Sequence, residues 1–358
     1  MTTLDMIGPA RRGKRPSIAS VRPRKASAKG RWPRLAVVAS AAIVSAVSGY
    51  FAVRGVQFGD LREPLASTNY VWLLPALATF VLANVLRILR WRVLFPASSR
   101  PAFPPAAEAF LVGQFLNIVL PLRAGEAARI VALNLRTRNS RAEITSTILV
   151  ERAFDVLGVL ALLFLLQPWL PEVSWLSIAV LLAVGLLLVV AMVAVGVGIW
   201  SDRPLRFAFR PLARLAFFSS RRVDLAAANL VQGLAGFRSA RLGAVAFFWT
   251  LAAWIVLGFS CWFAMLAFDL EHSPLAGVFV IVAIGLAMIL PSAPAAIGLF
   301  EAAVVATLLL YDTDRSEALS YALVLHALHV LPFVLVGVPL LHLQGSLVWR
   351  TRRKESLA

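Results

Sequence analysis

Between residues 35 and 343 the chain consists of long apolar runs separated by short polar clusters. An α-helix needs about 20 apolar residues to cross a hydrocarbon core, whereas barrel strands are half that length and alternate in polarity. Runs of the helical kind occupy residues 35–53, 70–89, 144–167, 174–200, 243–268 and 318–343. They predict an all-α, polytopic integral membrane bundle with about six full spans.

Two further apolar stretches break the pattern. Residues 106–122 contain an apolar part, AFLVGQFLNIVLPL, of only 14 residues, too short to cross at a rise of about 1.5 Å per residue. Arginines flank it on both sides, from Arg87 to Arg100 and from Arg123 to Arg141. Both ends are therefore expected on the same side, which is the pattern of a re-entrant hairpin. Residues 275–311 are interrupted at Pro291, Pro294 and Gly298, and each half is again short of a crossing. Acidic loops border this second stretch, so it is expected to enter and leave from the opposite face.

Composition changes the picture by fixing the solvent. The 358 residues are 60% hydrophobic and 15% charged, with a mean hydropathy of +0.81, so lipid is the main surrounding medium. The net charge of +17 is not a nucleic-acid footprint, because ten basic residues fall in the first 34 positions and most others border apolar runs. That placement is topological, with Lys and Arg staying on the cytoplasmic side. The loops assigned outside instead carry Asp60, Glu63, Glu172, Asp269, Glu271, Asp312, Asp314 and Glu317.

The expected organisation is a basic cytoplasmic tail (residues 1–34), a membrane domain (35–343) with a cytoplasmic amphipathic segment (201–242), and a basic cytoplasmic tail (344–358). Both termini are expected on the cytoplasmic side of a plasma membrane. In this layout Arg87, Arg90 and Arg92 read as a cytoplasmic stop for the second span. The single cysteine, Cys261, lies in an apolar run and supports neither a disulfide framework nor a thiolate metal site.

Ionisable residues inside apolar segments carry the chemistry, because each costs several kcal/mol unless paired or hydrated. Glu151, Arg152 and Asp155 lie within one predicted span, and the two acids are four apart on one face. Two readings stand: a functional interior site, or an ion-pair network locking this helix to Arg123 or Arg129. At the first hairpin and its exit stand Gly113, Asn117, Pro121, Arg123, Gly125, Glu126 and Arg129. Glu126 and Arg129 are three apart and can share a helix face, as a headgroup-binding pair or an ordinary salt bridge. In the second hairpin, Glu301 follows Pro291, Pro294 and Gly298. The free N–H groups of a helix starting there can hold a phosphate oxygen, or Glu301 can satisfy them itself. His326 and His329 are read as packed, neutral side chains.

These clusters, together with RILRWRVLF at residues 87–95, resemble the lysylphosphatidylglycerol synthase transmembrane-region family of flippase-like proteins over most of the chain. Ala295 and Ala296 stand where that family commonly has glycines. The resemblance implies a role in moving or handling lipids such as aminoacylated phosphatidylglycerol or isoprenoid-linked glycolipids. The aminoacyl-transfer domain of bifunctional relatives has no counterpart in this sequence, so lysine transfer by this chain alone is not expected. The expected function is that of a lipid flippase or lipid-handling transporter. The alternatives are an intramembrane enzyme acting on a lipid-linked substrate and a non-catalytic membrane subunit. Expected substrate contacts are Asn117, Arg123, Glu126, Arg129, Glu151, Arg152, Asp155 and Glu301. Gly113, Pro121, Gly125, Pro291, Pro294 and Gly298 shape the hairpins. Membrane lipids are the expected partners, a homo-oligomer or membrane partner is left open, and no cofactor, metal or nucleic acid is expected.

Overall fold

The computed structural model describes residues 31–120, 124–170, 185, 240–290 and 292–355. Among these, every regular element is helical. We label the α-helices α1 (Arg31–Val53), α2 (Arg62–Ser67), α3 (Leu73–Val93), α4 (Phe103–Val119), α5 (Gly125–Arg136), α6 (Arg141–Leu166), α7 (Ala240–Ala267), α8 (Pro274–Ala287), α9 (Leu299–Leu308) and α10 (Arg315–Glu355).

Local sequence sets several of these boundaries. Prolines at the first turn of α4 and at the start of α8 occupy positions whose N–H groups lack an intrahelical acceptor anyway. Ser140 opens α6 by accepting a hydrogen bond from the Glu143 N–H at 3.1 Å. Helix α1 starts at Arg31, ahead of the expected residue 35, and α10 runs to Glu355, past the expected end at 343. Neither added stretch is limited by an apolar pattern, because helical hydrogen bonding continues beyond it where water satisfies the outer carbonyls. The expected span at 174–200, the amphipathic segment through 239, and most of the N-terminal tail lie outside the described residues, as do Pro121, Arg123 and Pro291.

Helix α7 forms the spine. It runs antiparallel to α3, since Ser260 donates to the Ala76 carbonyl at 2.7 Å and, at the other end, Arg90 donates to Thr250 at 3.1 Å. It also runs antiparallel to α8, where a Cβ on Gly277 would stand 2.6 Å from the Gly258 carbonyl oxygen. Small residues at such crossings let backbones approach, which is how helices associate where lipid supplies no hydrophobic drive. Helix α6 packs on α7 and α8, α9 sits between α1, α8 and α10, and α10 crosses α4.

Helices α4 and α5 form the first hairpin. They are antiparallel, with Glu108 and Arg136 joined at 2.6 Å near their open ends and Gly113 facing Gly125 near the break. The second hairpin is α8 and α9, joined through the irregular segment that contains Pro294. The apolar stretch Pro294–Tyr311 is long enough to cross a membrane, yet its backbone is non-helical at Ala295 and regular α-helix begins only at Leu299.

Large apolar side chains on the outside of the bundle, including Val71, Leu74 and Leu335, are about 70% exposed. In water such a surface is a liability; in a bilayer it is the lipid-facing wall. Together with the long apolar helices of α3, α7 and α10, it makes the chain a multi-pass helical membrane bundle.

Candidate functional site

Six charged side chains of α3, α5 and α6 form a single chain of alternating sign inside the bundle. It runs Glu126, Arg152, Asp155, Arg90, Glu151, Arg129. Arg152 Nε lies 2.9 Å from Glu126 Oε1, and Arg152 Nη1 donates to Asp155 Oδ2 at 3.3 Å. The Glu126 contact is close in distance but not aligned as a hydrogen bond. Arg90 Nη1 donates to Asp155 Oδ1 at 2.6 Å, and Arg90 Nη2 lies 3.2 Å from Glu151 Oε1. Arg129 then grips Glu151 with both terminal nitrogens, at 2.8 and 3.3 Å.

Helical spacing assembles this chain. Glu151 and Asp155 project from one face of α6, four residues apart. Arg90 reaches both from α3. Trp91, its neighbour, is fully buried and donates its indole N–H to Thr147 at 3.1 Å. The guanidinium of Arg129 lies 3.5 Å from the Trp91 ring centre, so the last cation is stacked as well as paired. Arg90, Arg129 and Glu151 are each no more than 2% exposed. In so dry a place each charge is tolerable only because a partner of opposite sign touches it.

The expected pairing of Glu126 with Arg129 is not made. Gly125 seats α5 tightly on α4, and Arg129 turns inward under Trp91 and Phe110; Glu126 is left to Arg152 of α6. Arg87 and Arg90, read as part of a cytoplasmic stop, also take part in the interior of the bundle. Arg90 is a central link in the chain, and Arg87 is half-buried with its guanidinium 5.1 Å from the Trp254 ring centre. Their i, i+3 spacing, facing a span that carries two acids, is the sequence signal that would have placed them inside.

Inner members of this charge chain border a cavity of about 730 Å³. Arg87, Glu151, Arg152 and Asp155 border it, Gln114 and Asn117 of the first hairpin form one side, and Ser292, Ala293, Ala295 and Ala296 of the second form another. Residues of α3 and of α6 to α10, mostly apolar but including His329, complete the wall. Asn117, Glu151, Arg152 and Asp155 thus meet at one cavity. Arg129, sealed beneath Trp91, does not reach it, and Glu126 and Glu301 stand behind its lining.

The tip of the second hairpin is held in a costly conformation. Ala295 and Ala296 have φ of 55° and 60°, the left-handed region where an L side chain costs about 1–2 kcal/mol. Gly298 follows at φ 85°, and a Cβ there would stand 2.3 Å from the Ser45 carbonyl oxygen of α1, so only glycine fits. The Ala293 N–H donates to Ser45 Oγ at 2.8 Å. Glu301 accepts from the Gly298 N–H at 2.7 Å, which is the local capping role.

His326 completes this arrangement and is more than a packed side chain. Its Nδ1 lies 2.5 Å from Glu301 Oε1, and its Nε2 lies 3.0 Å from the Ala295 carbonyl oxygen. A carbonyl can only accept, so Nε2 carries a proton, and a second proton must lie between Nδ1 and the carboxyl group. The pair is therefore net neutral, as imidazolium with carboxylate or as imidazole with carboxylic acid. His329 lies stacked on Phe80, with ring centres 4.8 Å apart.

The fold and site together define a class: a multi-pass helical membrane protein with two broken helical hairpins and a chain of buried ion pairs at an internal cavity. The chain belongs to the lysylphosphatidylglycerol synthase TM region family, whose sequence model matches residues 36–337. It is also similar to the UPF0104 membrane protein MJ1078 of Methanocaldococcus jannaschii, at 23% identity over 245 residues, covering 67% of this chain and 99% of that protein.

Proposed function

We propose that this protein is a flippase or lipid-handling transporter of the plasma membrane for an anionic or aminoacylated phospholipid or an isoprenoid-linked lipid. The headgroup enters the cavity while the acyl or isoprenoid chains stay in the bilayer. The two hairpins penetrate from opposite faces, with both termini cytoplasmic. The observation that carries this reading is the shared cavity, which joins described residues of both hairpins to Arg87, Arg152 and Asp155 inside a largely apolar wall. Paired discontinuous helices around a polar midplane site are a recurring transporter design.

The state of the carboxylates favours binding over chemistry. Glu151 and Asp155 each touch two guanidinium groups, and Glu301 is occupied by Gly298 and His326. A general base needs a lone pair directed at the substrate, whereas carboxylates held this way fix the arginines that meet it.

Reconstitution in liposomes with fluorescently labelled phosphatidylglycerol tests the proposal. Wild-type protein is expected to move the label between leaflets, and Arg152→Ala or Asp155→Asn to stop it while incorporation is retained. Undiminished translocation by both variants would remove the cavity from the mechanism.

A further inference from the structure

Among the described residues the charges around the cavity do not cancel. Glu126, Glu151 and Asp155 are matched by Arg90, Arg129 and Arg152 through contacts of 3.3 Å or less. Arg87 is the surplus. Among the described residues no carboxylate lies within 4.0 Å of it, and Asp155 acts on it only across a wider gap. Its one close support is the face of Trp254, 5.1 Å away. A guanidinium in an apolar wall with only an aromatic face beside it is under-compensated, and this one borders the cavity directly.

From this we infer that Arg87 is the anion-binding residue of the cavity and that the site takes a lipid bearing one net negative charge, a phosphodiester headgroup. The inference rests on the lipid-handling reading and narrows it. The one surplus cation among the described residues is neutralised by a phosphodiester. A headgroup with an added amine requires a free carboxylate, and each acid of the cluster already has its cation. The planar guanidinium suits a phosphodiester because it can donate two parallel hydrogen bonds to its oxygens. The apolar remainder of the wall favours a phosphate that carries hydrocarbon over a soluble one.

Arg87 belongs to none of the ion pairs, so its replacement leaves the charge chain intact. Equilibrium binding to the full chain in nanodiscs, using short-chain phosphatidylglycerol, short-chain phosphatidylcholine and inorganic phosphate, separates the outcomes. Wild-type protein is expected to bind phosphatidylglycerol about tenfold or more tightly than phosphatidylcholine. Arg87→Gln is expected to lose that preference, phosphatidylglycerol binding falling by more than phosphatidylcholine binding with the thermal midpoint unchanged, and Arg87→Lys to keep part of it.

Equal binding of the two lipids by the wild type, or an undiminished preference in Arg87→Gln, overturns the assignment. Inorganic phosphate binding as tightly as phosphatidylglycerol overturns its lipid clause. Selective binding through Arg87 without any translocation in vesicles supports this inference while removing the transport reading. Translocation that ignores headgroup charge does the reverse.

Discussion

Arg90 and Asp155, 65 positions apart in the sequence, meet at 2.6 Å in the interior of the bundle. Neither side chain stands alone there, since Arg90 also contacts Glu151 and Asp155 also accepts from Arg152. The pair therefore works as the middle link of a longer chain and ties α3 to α6. Removing one member leaves an uncompensated buried charge, and this costs more than the pair itself contributes. Arg90→Leu is expected to destabilise the protein by about 3–5 kcal/mol. The double variant Arg90→Leu with Asp155→Leu should lose markedly less than the sum of its singles. Unfolding in detergent across the four-protein cycle measures the coupling, and strict additivity would show that the two charges do not support one another.

The α4–α5 hairpin depends on the absence of a side chain at residue 125. A Cβ on Gly125 would lie 2.0 Å from the Gly113 carbonyl oxygen and 2.6 Å from the Asn117 nitrogen, both backbone atoms that cannot swing aside. Gly125→Ala must push the helices apart, at about 1–3 kcal/mol for overpacking, and carry Asn117 away from the cavity. A lowered thermal midpoint is the expected result; an unchanged one would mean that the hairpin is looser than its geometry indicates.

Ala295→Gly and Ala296→Gly should act in the opposite direction. Each relieves a left-handed alanine, at about 1–2 kcal/mol, against an added entropic cost of roughly 0.5–1 kcal/mol. The net expectation is a gain of up to about 1.5 kcal/mol per site, read as a raised thermal midpoint. A fall at both sites would refute the assigned backbone geometry.

Outside the spans, His272 gives a pH signature. Its Nε2 lies 2.9 Å from Thr313 Oγ1, and partial burial lowers its pKa from the ordinary value of 6.5. The unfolded chain then binds this proton at higher pH than the folded one, so the contribution of His272 to stability is present above about pH 6.5 and is lost as pH falls through the lowered folded value. Midpoints recorded between about pH 8 and about pH 5 should fall for the wild type. His272→Gln should flatten that part of the profile, and identical slopes would exclude His272 as the cause.

Length and polarity made most of the bundle readable in advance. The breaks at Pro294 and Gly298 and the short run before Pro121 marked where α8 gives way to α9 and where α4 ends, and Glu151 and Asp155 declared themselves because acids rarely lie within an apolar run. Sequence could not give the pairing. Arg129 looked like the natural partner of Glu126, three residues away, yet packing under Trp91 sends it to Glu151. Arg90 was hidden for a different reason: arginines at a span end serve topology so often that one turned inward looks the same in one dimension. The left-handed backbone at Ala295 and Ala296 had no local signal either, because alanine is a residue of helices and the contacts that hold it come from Ser45 and His326.

That last arrangement ties the second hairpin's tip to two helices at once. A loop that would relax if released is clasped from two sides by helices 281 positions apart in the sequence, α1 through Ser45 and α10 through His326. Both clasps bear on Ala293 and Ala295 in the wall of the cavity, so the shape of that wall depends on the seating of α1 and α10 together.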